Sequence, residues 1–154
     1  MDLEKSQNNF FLKAERFCNF LEEFNKFDLN NCYRLIIELT SLYLETMKLK
    51  TPKNISDFDI SMEVDRVFID FGEYDTYNEV YNPYYDEELV CGSLQDDFAD
   101  IHNDLKIGLN LYNQGLEDEA AFQWWWSFNH HWCYHAVDAL RTLNTIYIEK
   151  CDKI

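Results

Sequence analysis

The residues best suited to chemistry crowd into one stretch of the chain. All four histidines (102, 130, 131 and 135) and all four tryptophans (124, 125, 126 and 132) fall between residues 102 and 135. His131 and His135 are four residues apart, so a helix puts them on one face. Two imidazoles spaced this way can bind one ion. Upstream, Asp97, Asp100 and Asp104 repeat at helical spacing and bring carboxylates to one helix side. This side-chain set supports three chemistries. Imidazole and carboxylate together suit a divalent metal in a helical bundle. Histidine alone can serve as acid or base near neutral pH. Alternatively, the aspartates and histidines pair into a buried polar layer that fixes helix register, because buried charged groups must be partnered. There is no E-x-x-H pair, and the residues by themselves leave all three open.

The elements that must position these groups are readable from hydropathy. Ser93 opens a helix, with Ser93-x-x-Asp96 as a capping-box-like start and Asp96 and Asp97 favoured at the positive end of the dipole. Its apolar stripe is Leu94, Phe98, Ile101, Leu105, Leu109 and Tyr112, bordered by Asp97 and Asp104 on one side and His102 on the other. Gly115 fits the position just past the last turn. Residues 116–149 hold no Gly or Pro, which predicts one helix of about 50 Å at ~1.5 Å per residue. On a regular wheel, Trp124, Phe128, His131, His135, Asp138, Thr142 and Ile146 share one stripe, and Trp126, Cys133, Val137 and Leu140 lie roughly opposite. A helix apolar on both sides is buried, so His131 and His135 are expected to point inward. Antiparallel packing through Gly115 brings Asp100 and Asp97 level with them, closer than Asp104. Trp124, Trp125 and Trp126 span too wide an arc to face one core, so one should pack on another helix or line a surface groove. Lys106 and Arg141 are the only bases between residues 67 and 149. Each is expected in an ion pair, or, for Arg141, on a substrate anion.

Residues 3–26 and 30–48 carry apolar residues at helical spacing and predict an αα-hairpin turning near 27–29, with Asn30 or Asn31 as the second cap. Residues 49–58 read as a loop and 59–71 as a short helix. Residues 72–92 are irregular and rich in tyrosine, with at most one helical turn. The sum is an all-α fold: a bundle of four main helices plus one short helix, with an irregular Tyr-rich acidic loop, in a single helical domain over residues 1–154.

Charge narrows the function classes. The 154 residues carry 13 Lys plus Arg against 29 Asp plus Glu, a net −16. Residues 56–104 alone hold 15 acids and one base, Arg66. Such a chain does not bind nucleic acid or an anionic membrane through a basic face. Four Gly and two Pro argue against a turn-rich β-sandwich. Five cysteines with no C-x-x-C pair read as free thiols in a reducing compartment. With no signal peptide or 18-residue uncharged run visible, the expected location is cytoplasmic.

Two segments are similar to a known family. GSLQDDFADIHNDLKIGLNLY (Gly92–Tyr112) and WWWSFNHHWCYHAVDALRTL (Trp124–Leu143) resemble a bacterial family called domain of unknown function 5063. The resemblance points to Asp96, Asp97, Asp100, Asp104, Lys106, Gly108, Trp124, Phe128, His131, Trp132, His135 and Arg141. Tyr81-Asn82-Pro83 and Leu42-Tyr43 also fit the family pattern. The chain departs from it at His102, Trp125 and Cys133, where the family has Tyr, Arg and Gly. The resemblance implies a small helical cytoplasmic protein and brings no activity.

Two functions follow as expectations. The first is an acidic binding or adaptor module for a basic protein partner. Its partner surface would be Tyr74, Tyr77, Tyr81, Tyr84, Tyr85, Asp86, Glu87 and Glu88, with tyrosine anchors in a field that steers cations. The second is a metal-dependent enzyme, hydrolase-like, with a divalent metal on Asp97, Asp100, Asp104, His131 and His135. In either case Lys106, Asp138 and Arg141 are assigned to the polar layer or to anion pairing.

Overall fold

The computed structural model describes residues 3–52 and 61–151, with side chains from residue 5 onward. Helix α1 (Leu3–Glu23) and helix α2 (Cys32–Thr46) form the expected hairpin. Asn31 is the residue before α2, but its side chain makes no cap bond; its Oδ1 accepts from the Asp28 amide instead.

The fold is predominantly helical with four main helices, as expected, and the differences are local to the segment between α2 and α3. Of the short helix expected at 59–71, residues 59 and 60 lie outside the described residues, and residues 61–69 have no regular structure. Their backbone bonds go elsewhere. The Ile69 amide donates to the Gln95 side-chain oxygen at 2.6 Å and Gln95 Nε2 donates to the Val67 carbonyl. Asp70 bridges to the turn after α1 through Asn25 and Phe27. Groups claimed by another element cannot close helical turns. The short helical element lies just downstream, as one 3₁₀ turn over Gly72–Tyr74.

The Tyr-rich region is also more ordered than a loop. Strand β1 (Thr76–Glu79) pairs antiparallel with strand β2 (Val90–Ser93). This hairpin leads directly into helix α3 (Leu94–Asn113). Ser93 caps α3 as its sequence predicts, accepting from the Asp96 amide. Asp75 adds a second cap that spacing did not reveal: its Oδ1 accepts from the Gln95 amide at 2.8 Å and from Ser93 Oγ. Gly115 sits at φ 81° past the end of α3, a left-handed conformation that suits Gly.

The long C-terminal helix is continuous in sequence but not uniform. Helix α4 (Glu117–Ser127) passes through a π segment, Phe128–Trp132, into helix α5 (Cys133–Lys150). A π turn holds more residues than an α turn. The core-facing stripe therefore runs Trp124, Phe128, Trp132, Ala136, Ala139, Leu143 and Ile146, all buried. This corrects the regular wheel. His131 and His135 sit one residue to the side of the core line, and Trp126 and Val137 are exposed. Of the tryptophan run, Trp124 is buried and Trp126 stacks on His130 at a centroid distance of 4.9 Å.

Among the described residues, no helix is long and apolar enough to cross a membrane. All five cysteines are free. Burial pushes the Cys18 thiol up to about 12.

Candidate functional site

The offset made by the π segment turns His131 and His135 onto the flank that faces α3. Two buried aspartates meet them there. His131 Nδ1 lies 2.7 Å from Asp104 Oδ2, and His135 Nδ1 lies 2.8 Å from Asp97 Oδ1. Counting from Gly115 matched Asp97 with His135 but favoured Asp100 for His131. The structure gives His131 to Asp104, because residues wound into a π turn climb less along the helix axis and His131 stays lower on α3.

The Nδ1–carboxylate hydrogen bond fixes the orientation of each imidazole and points its Nε2 away from that aspartate. The rings stand 4.9 Å apart and nearly perpendicular. Asp100 completes the cluster. One of its oxygens accepts from Arg66 at 3.0 Å, and the other lies 3.5 Å from His135 Nε2. One ligand atom each from Asp100, His131 and His135 lies within 4.8 Å of the others. All five residues picked from the sequence are brought together. Asp97 and Asp104 take the supporting positions, and Asp100 alone of the three aspartates faces the imidazoles as a direct ligand would.

Burial raises the pKa of Asp97 and of Asp104 against the opposing pull of their histidines. The Asp97 hydrogen bond raises His135 above its ordinary 6.5 and outweighs burial. The cluster lines a cleft of about 480 Å³, within the usual range for small-molecule sites.

Three participants escaped the sequence reading. Tyr77, expected on the partner surface, turns inward and donates to Asp97 Oδ2 at 2.6 Å. Burial followed by this bond raises its pKa. Gly92 lets the ring lie there, because a Cβ at that position would come within 2.4 Å of Tyr77. Glu79, next to Tyr77 but one, faces Asp138. The Asp138 contact, then burial, brings the Glu79 carboxyl up to about 7. Alternation along β1 is the signal that could have found this, since Tyr77 and Glu79 share one strand face. Tyr74 is a further correction to the partner surface. It packs edge-on against Phe27 in the core, at a centroid distance of 5.6 Å.

The remaining polar residues divide. Lys106 pairs with Glu22 at 2.6 Å, and the buried His102 reaches the same carboxylate at 2.9 Å. Burial holds His102 below its ordinary pKa. Arg141 was expected in an ion pair, yet it makes none among the described residues. It lines a second, smaller cleft that shares Glu79 and Asp138 with the first.

Gly92→Ala is expected to displace the Tyr77 ring and cost about 2 kcal/mol, the scale of overpacking plus a lost hydrogen bond to a charged group. Urea unfolding measures it, with Tyr77→Phe, which loses only the hydrogen bond, as the milder partner. Wild-type stability in Gly92→Ala would contradict this packing.

Known proteins corroborate the fold. A crystal structure of protein BF1032 from Bacteroides fragilis matches with a TM-score of 0.71 at 21% identity, covering 96% of this chain and 97% of that one. At this identity the likeness speaks for the fold alone. No curated protein matches the chain. A family model described as Domain of unknown function (DUF5063) matches residues 1–149. With the match running over nearly the entire length, the chain belongs to the domain of unknown function 5063 family.

Proposed function

We propose that the cleft is a divalent-metal centre of a hydrolase-like enzyme, with the metal on His131, His135 and Asp100. One observation carries the reading: two imidazoles, each held through Nδ1 by a buried aspartate, bring ligand atoms within 4.8 Å of one another and of a third carboxylate, Asp100. Carboxylate–histidine pairs of this kind orient a metal's ligands and raise their basicity. Two nitrogens and one oxygen suit Zn²⁺, Mn²⁺ or Fe²⁺ and leave positions open for water. Zn²⁺ held by these three residues would lower the pKa of a bound water to about 7 and so supply a nucleophile at neutral pH. Glu79, which lines the same cleft and whose carboxyl is raised by the Asp138 contact and by burial, would take up the proton.

Protein purified without added metal is expected to carry about one ion per chain, or to take up Zn²⁺ or Mn²⁺ tightly in a calorimetric titration. Absence of both overturns the reading. Affinity should also depend on pH with a defined sign. Protonated His135 cannot ligate, and Asp97 stabilises that protonated form. Protons therefore compete with the metal from above pH 6.5 downward, and affinity falls as pH is lowered through that window. Titrations between about pH 8 and 6 measure this.

A second reading, an acidic binding module for a basic partner, is favoured by a different observation. Tyr84 and Tyr85 are 88% and 85% exposed. The two readings use different surfaces and are compatible.

A further inference from the structure

The connection between β1 and β2 is an ordered turn that displays apolar groups to solvent. Asn82 and Asp86 close it: the Asn82 amide donates to Asp86 Oδ2 and the Asp86 amide to the Asn82 carbonyl, each at 2.9 Å. Asn82 Oδ1 also accepts from the Tyr84 amide. The turn holds Tyr84, Tyr85 and Leu89 outward, and none of them packs on the core. At its base Tyr81 stacks on Tyr134 at a centroid distance of 6.4 Å, on the rim of the cleft. Ordered, contiguous aromatic exposure of this kind marks a contact surface. Pre-organisation also lowers the entropy lost when a partner binds.

Charge identifies the occupant. Asp86, Glu87 and Glu88 lie in the same turn, and no ion pair reaches them among the described residues. No base occurs between residues 67 and 105. The lysine or arginine residues nearest on either side, Arg66 and Lys106, are committed to Asp96 and Asp100 and to Glu22 respectively. A polyanion or an anionic membrane is repelled from such a surface, whereas lysine and arginine pair with its carboxylates and stack on its tyrosines.

We propose that the β1–β2 turn, through Tyr81, Tyr84, Tyr85, Leu89 and the acidic run 86–88, docks a lysine- or arginine-rich peptide segment of a partner protein. The proposal rests on the binding-module reading and not on the metal.

The test uses the full chain with chelator present and fluorescein-labelled octa-arginine and octa-lysine as probes, read by anisotropy at about 150 mM salt, where remote charges are screened. Binding is expected. Tyr84→Ala/Tyr85→Ala and Asp86→Asn/Glu87→Gln/Glu88→Gln should each weaken it roughly tenfold or more, as removal of anchors does. Glu117→Gln/Asp118→Asn/Glu119→Gln removes the same three charges from the start of α4 and should change affinity less than about twofold. The altered side chains are exposed, and Asp86→Asn keeps an oxygen to accept from the Asn82 amide, so the variants should unfold at the wild-type temperature. Equal weakening by both charge variants would reduce the effect to the protein's overall field and overturn the proposal. So would no binding at this salt, or capture of a DNA oligomer instead of the peptides. Because the metal is chelated throughout, failure of the metal reading leaves this result unchanged.

Discussion

His131→Ala and His135→Ala are each expected to reduce metal affinity well beyond the roughly 100-fold that loss of an outer hydrogen-bond partner causes. Each removes one of only three protein ligands. Asp97→Asn and Asp104→Asn remove no ligand, so they give the comparison. Each should weaken binding roughly 10–100-fold, by freeing an imidazole that is now held at 2.8 or 2.7 Å. Competition with a chromophoric chelator measures the whole series. Thermal unfolding of the metal-free variants separates lost ligation from lost folding. The order expected is wild type, then the aspartate variants, then the histidine variants. If the aspartate variants lose stability while no protein in the series binds metal, the four residues are a structural polar layer and the enzyme reading fails. Such a layer would still fix the pairing of α3 with α4 and α5, because a buried carboxylate without its imidazole is costly.

Gly108→Ala is expected to destabilise the protein by about 3 kcal/mol, the upper end for overpacking. For a chain of this size that lowers the unfolding midpoint by roughly 10 °C. Gly108 on α3 faces Trp124 of α4. A Cβ there would come within 2.0 Å of Trp124 Nε1. Trp124 cannot easily give way. It is fully buried, its Nε1 donates to the Leu105 carbonyl at 3.1 Å, and its ring meets Phe10 edge-on at a centroid distance of 5.1 Å. A methyl group at 108 must therefore break the hydrogen bond or part the helices, and an unpartnered buried donor adds about 1–3 kcal/mol. Trp124→Phe removes the indole nitrogen and makes room. The double variant should lose less stability than the sum of the single ones, the signature of contacting residues. Additive losses would show that the strain lies elsewhere.

Much of the helical frame was legible because its signals are local. Ser93 Oγ accepts from the Asp96 amide within the first turn of α3, and Gly115 adopts the positive φ that its place after α3 implied. The family assignment was legible too, since the motifs around Asp97 and His131 carry it. Residues 61–71 were misread because periodicity cannot see a distant partner. Their alternation suits a helix, yet Gln95 and the turn after α1 take their backbone groups. The β1–β2 pairing was hidden for the same reason, as the ten residues between the strands carry no pattern of their own.

The histidines show the division most clearly. Spacing alone determined that His131 and His135 lie near one another and that aspartates run along the preceding helix. It also held a clue to the rest: Trp124, Phe128, Trp132 and Ala136 recur every fourth residue, and repeated steps of four overrun the ~3.6 residues of an α turn. Whether the chain absorbs that overrun by rotating the stripe or by opening a π segment depends on what the tryptophans pack against. Burial of Trp124 and Trp132 against the bundle decides for the π segment. That choice moves His131 and His135 off the core line and onto Asp104 and Asp97. The sequence by itself determined that these two histidines and the aspartates of the preceding helix share one neighbourhood. The tertiary packing decided which nitrogen each carboxylate holds, because that depends on rotation and rise of one helix against another and not on the order of residues within it.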